Sequence, residues 1–168
     1  MERQRIAIVS SLAALVFFFC IPCHVLRIEA VREHRTVFVR IIRPNDTFAT
    51  TYIHSVELSP VREYFRIDAD FRIVLYETRF SSCNTGLPTS LAEEEILDIE
   101  GDHLRISHMN RVVPVIDLWV DARYDNTLQM GEETGISLPP LAGDTLLRVT
   151  VESIPLFTFV CLKTGLYL

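Results

Sequence analysis

His54, Glu57, Glu63, Glu77 and Arg79 bring an imidazole, three carboxylates and a guanidinium into a short stretch of the chain, a set able to bind ions or move protons. They fall in two runs, 51-TYIHSVELSPVREYF-65 and 75-LYETRFSSCNTGLP-88, whose neighbours alternate apolar and polar as strands do. Alternate residues of an extended chain share a face. Val61, Glu63, Phe65 and Ile67 therefore form one side of one strand, and Ile73, Leu75, Glu77 and Arg79 one side of the next. Two glutamates thus stand on otherwise apolar faces of adjacent strands, where a carboxylate is costly unless it is paired or protonated. Arg62 and Arg66 point away from Glu63, Arg79 shares a face with Glu77, and His54 can reach Glu63 across the turn Leu58-Ser59-Pro60.

Three arrangements fit such a set. The five side chains can form an ion network that fixes strand register. They can be the convergent polar groups of a binding pocket with apolar walls. They can also be an acid–base or metal site, with His54, Glu63 and Glu77 as the set able to move protons. No H-E-x-x-H, Cys/His ligand spacing or G-x-S-x-G accompanies them, so no metal, no cofactor and no catalytic residue is assigned.

The first run, with His54-Ser55-Val56-Glu57 and then Pro60-Val61-Arg62-Glu63-Tyr64, resembles the DUF1850 family. The second resembles it too, through a Glu77-Thr78 strand leading into a loop that ends Gly86-Leu87-Pro88, which makes those three residues loop candidates. Cys83, Asn84 and Thr85 depart from the aromatic, Gly and small residue usual in the family. The resemblance runs from about Val37 to Glu152. It implies an exported, membrane-tethered protein, often associated with the permease and solute-binding protein of TAXI-type TRAP transporters, and hence an accessory part in uptake.

The elements that must hold these residues are short strands: Thr36 to Ile42, Thr47 to Val56, Val61 to Ile67, Phe71 to Phe80, Asp102 to His108, Val112 to Val120, Thr127 to Met130, Thr145 to Glu152 and Phe157 to Leu162. Ser90 to Ile96 reads as a helical turn or connector whose Glu93-Glu94-Glu95 forms a solvated face, and Gly131 to Gly143 as a connector. The spacing predicts an all-β domain, an antiparallel β-sandwich or small open barrel, preceded by an N-terminal hydrophobic helix. Trp119 is expected in its core.

That helix is read from Arg3 and Arg5 followed by an apolar run from Ile6 to Leu26. Residues 1–27 are expected to be a signal anchor or signal peptide, and 35–168 a single extracytoplasmic β domain. A cleavage site is poor, with Ile28-Glu29-Ala30 the nearest approach, so the anchor is expected to stay as a transmembrane helix in the cytoplasmic membrane, with the domain in the periplasm or outside the cell. A net charge of −6 without a Lys/Arg cluster argues against nucleic acid. Cys83 and Cys161 are either a disulfide or two thiols. The functions in view are an accessory or binding domain, an exported enzyme, and a structural envelope-interaction domain.

Overall fold

The computed structural model describes residues 2, 4, 17–54, 58–81, 91–101 and 103–165. Glu57, Cys83, Gly86, Leu87 and Pro88 lie outside these residues, as does the whole of the apolar run from Ile6 to Val16.

Two antiparallel sheets share one hydrophobic cluster. The first has the order β2-β1-β12-β9, built from β1 (Pro22–Ala30), β2 (Arg35–Ile41), β9 (Ile116–Val120) and β12 (Thr145–Pro155). The second has the order β11-β10-β3-β4-β5-β7-β6. Its strands are β3 (Thr47–Ile53), β4 (Pro60–Ile67), β5 (Ile73–Phe80), β6 (Ile96–Glu100), β7 (His103–Ser107), β10 (Thr127–Met130) and β11 (Ile136–Ser137); β8 (Arg111–Val112) pairs with β5 off this path. Two short helices, α1 (Pro139–Ala142) and α2 (Leu156–Thr164), flank β12.

The core is a product of alternation. Leu26, Ile28 and Ala30 of β1, Ile116, Leu118 and Val120 of β9, and Leu147 and Val149 of β12 meet Phe48, Val61, Phe65, Ile67, Leu75 and Leu128 of the other sheet in a single cluster. Phe48 and Phe65, opposite each other across β3 and β4, stack with ring centroids 4.9 Å apart.

The expected hydrophobic helix through Leu26 is corrected. Among the described residues before β1, 2, 4 and 17–20 are helical, the chain turns to strand at Pro22, and no helix among the described residues is long and apolar enough to cross a membrane. Pro22 cannot continue a helix, and the residues from Leu26 to Ala30 alternate: Leu26, Ile28 and Ala30 point inward while Arg27 and Glu29 pair outside at 3.1 Å. β1 is an inner strand of its sheet, hydrogen-bonded to both β12 and β2.

The C-terminal strand expected at Phe157 to Leu162 is likewise corrected to helix α2. Its run Phe157-Thr158-Phe159-Val160-Cys161-Leu162 is rich in strand-favouring residues but has no alternation for a sheet to use. Gly165 closes the helix in the left-handed region, φ 71°, donating its N–H to the Cys161 carbonyl, the usual role of a glycine past a helix end. Cys161 itself is a buried free thiol.

Two further expectations change. Trp119 lies on the outward side of β9, half exposed, with the Arg32 guanidinium 5.2 Å from its ring centroid. Glu95 is no part of a solvated face: its buried carboxylate accepts hydrogen bonds from Arg111 Nε and Nη2, both at 2.6 Å, and from the Ala92 N–H.

Candidate functional site

β4 carries the site because its alternation presents different chemistry on its two faces. Inward it shows Val61, Glu63, Phe65 and Ile67; outward, Arg62, Tyr64 and Arg66. Glu63 lies directly opposite Thr50 on β3 and Thr78 on β5, so one rung of the inner face is polar across three strands.

This rung is under-satisfied. Thr50 is buried and its Oγ1 has no hydrogen-bond partner among the described residues. The Glu63 carboxylate makes no hydrogen bond or ion pair among the described residues, and burial pushes its carboxyl above the usual range. Burial, with the nearby Glu63 charge adding to it, also raises the Tyr52 phenol well above its usual value. An unpaired polar group inside a protein costs stability, which makes its survival informative.

Glu63 opens into a cleft of about 620 Å³. Tyr52, Ile53 and His54 from the end of β3 form one wall, and Ile116 to Trp119 of β9 form the other. The turn after β9 closes the rim with Asp121, Arg123, Tyr124 and Asn126. Asn126 is buried and stitches that turn, donating from Nδ2 to the Trp119 carbonyl at 3.4 Å and accepting from the Asp121 N–H at 3.4 Å. Hydrogen bonds from the Arg123 side chain and backbone hold Asp121 at about 2. The rim charges Asp121 and Arg123 thus satisfy each other, at 2.5 Å, and leave Glu63 to itself.

Glu77 and Arg79 are not in this cleft. A β-bulge shifts the β4/β5 register: Tyr64 pairs with Glu77, but Phe65 pairs with Leu75, leaving Tyr76 as the extra residue. The shared face expected for Ile73, Leu75, Glu77 and Arg79 is corrected accordingly. Ile73 and Leu75 point to the core, whereas Glu77 and Arg79 point the other way, beside Tyr64 and Arg62. There Glu77 accepts from Arg79 Nε and from Arg105 Nη2, each at 2.7 Å. Burial alone would raise the Glu77 carboxyl, but those two hydrogen bonds outweigh it and hold the group below the usual carboxylate range.

The structure therefore brings His54 and Glu63 to one cleft and puts Glu77 with Arg79 on the opposite face of the same sheet. Sequence reasoning passed over Thr50 and Tyr52, although Phe48, Thr50, Tyr52 and His54 follow the same two-residue period. The rim turn carried no signal tying it to β4, because that contact joins different sheets. Among the described residues, no three His, Cys, Asp or Glu side chains gather as a metal group.

Glu77→Gln should lower stability by about 1–2 kcal/mol, since it weakens two charge-assisted hydrogen bonds whose arginines are partly screened by water. Urea denaturation at neutral pH measures it. The Glu77 contribution is full above its unfolded value and is lost as pH falls through its depressed folded value, so wild type and variant should converge in acid.

Fold and cleft together define a two-sheet antiparallel β domain with a partly enclosed polar site between the sheets. The family model described as domain of unknown function (DUF1850) matches residues 48–136, and the chain belongs to that family. The match spans β3 to β11 and so includes Thr50, Tyr52, His54, Glu63 and the rim turn. No curated protein and no solved structure matches the chain.

Proposed function

We propose that this protein is a non-catalytic ligand-binding accessory domain, tethered to the cytoplasmic membrane by the apolar segment before β1 and working outside the cytoplasm beside a TAXI-type TRAP transporter. The observation that carries the binding reading is Glu63: a carboxylate set in a cleft, without a hydrogen bond or ion pair among the described residues, next to the unsatisfied Thr50 hydroxyl. A site that leaves such groups unspent is arranged for a partner to satisfy them. The ligand that fits is a small molecule with a cationic nitrogen for Glu63 and an apolar or aromatic body for Tyr52, Ile116 and Leu118. The net charge of −6 favours approach of a cation. Arg3, Arg5 and the apolar run ending at Ile21 support the tether, and family context supports the transporter.

A panel of amines and amino acids tested by thermal shift checks the reading. At least one member should raise the Tm of the wild type saturably, and Glu63→Gln should weaken its binding by about tenfold or more, the worth of one charge-assisted hydrogen bond. Equal shifts in wild type and variant would remove Glu63 from the site. In-cell crosslinking to the TRAP permease tests the accessory role separately.

A further inference from the structure

We propose that the outward face of β3, β4 and β5 holds a second binding site, for a small oxyanion such as a carboxylate or phosphate group, formed by Arg62 and Arg79 beside Tyr64. It lies on the opposite side of β4 from Glu63 and goes beyond the cleft reading.

Register sets up the site. Arg62 lies directly opposite Arg79, and Arg79 directly opposite Arg105, so three arginines occupy one rung across three strands. Like charges facing each other across a sheet are destabilising. The carboxylates nearby offset only part of this row: Glu77 serves Arg79 and Arg105, and Glu100 serves Arg105 at 3.2 Å.

Arg62 has no carboxylate partner among the described residues. Its Nη2 donates to Gln129 Oε1, and its Nε is buried without an acceptor among them. Arg79 spends Nε on Glu77, and its terminal nitrogens have no acceptor among the described residues. Tyr64 keeps the two cations together, with guanidinium carbons 5.1 Å and 5.4 Å from its ring centroid. Beside them lies a pocket of about 280 Å³ whose wall also includes Thr51 and His103. Two guanidiniums converging on one concavity, with donors to spare, match the forked geometry of an oxyanion. The pocket suits a small molecule rather than a polymer.

Calorimetric titration of the purified protein with succinate and with inorganic phosphate, at ionic strength fixed with sodium chloride, tests this. Saturable binding of one or both is expected, and whichever binds identifies the source of the oxyanion. Arg62→Gln, confirmed folded by circular dichroism, should bind about tenfold or more weakly. Arg72→Gln, which alters an exposed arginine paired with Asp68, should bind as the wild type does. Should Arg62→Gln not fold, Arg79→Gln takes its place with the same expectation. The Nε–Hε NMR signals of Arg62 and Arg79 in the wild type should also move on saturation. The site is overturned by wild-type heats no greater than those of the chloride control, by motionless arginine signals, or by either folded variant retaining affinity within about twofold.

Discussion

A chain that begins at Ala30 should not fold, whereas one that begins at Ile21 should. The first truncation removes nearly all of β1, which lies between β12 and β2 and hydrogen-bonds to both. It also removes Val25, Leu26 and Ile28, three of the most deeply buried side chains. At about 1.5–3 kcal/mol for each fully buried aliphatic side chain, their loss amounts to roughly 5–9 kcal/mol, comparable with the whole net stability of a domain. The pairing edges of β2 and β12 would be left open besides, inviting aggregation. Circular dichroism and urea denaturation of the two purified chains decide the matter: a cooperative transition from the Ala30 chain would sink the assignment of β1. Processing at Ile28-Glu29-Ala30 would cut away a strand that the fold needs, so protein recovered from cells should, by intact mass, retain everything from Pro22 onward.

The correction at β1 shows how local patterns compete. The residues Cys20 to Leu26 extend an apolar run, and a run without period cannot be told from a helix by hydrophobicity alone. The strand signal was nevertheless present one step later, in apolar Leu26, Ile28 and Ala30 alternating with charged Arg27 and Glu29. β4 and β10 were legible because each alternates, and β3 because it is rich in strand-favouring residues after a turn: Thr127–Met130 matches its expected bounds, and the other two start or end within a few residues of theirs. The inward position of Glu63 was legible for the same reason. The outward position of Glu77 was not. It depends on a bulge at Tyr76, where no glycine or proline marks the extra residue, and a shift of one residue exchanges every side chain beyond it between faces. Glu95 was misassigned because an acidic triplet says nothing of an arginine lying 16 positions farther on. The cleft's second wall was beyond reach for a related reason, since strand alternation sets faces but not which sheet covers them.

Glu63→Gln should stabilise the unliganded protein at and above neutral pH, by about 1 kcal/mol, because Glu63 is half-buried and bears only part of the usual cost of an unpaired buried charge. Had Glu63 been half of an ion pair with His54 or Arg79, the same change would strand a charge and destabilise. Arg79 is excluded as that partner because the β5 bulge turns it to the opposite face. The direction of the shift sets the sign with pH. Burial holds the folded carboxyl above its ordinary range, while the unfolded chain titrates in that range. Below the unfolded value both states carry the proton and Glu63 brings no charge penalty. Between the two values the unfolded chain has released a proton that the folded protein still holds, so stability falls as pH rises, and above the folded value the loss is complete. Gln has nearly the same shape and no charge at any pH, so the variant should lack this component. Urea denaturation from about pH 4 to about pH 8 should show nearly equal stabilities at the acid end and a widening advantage for the variant toward the alkaline end. A variant less stable than wild type at the alkaline end would mean that Glu63 is paired after all, and the cleft would lose the unspent carboxylate on which its ligand reading rests.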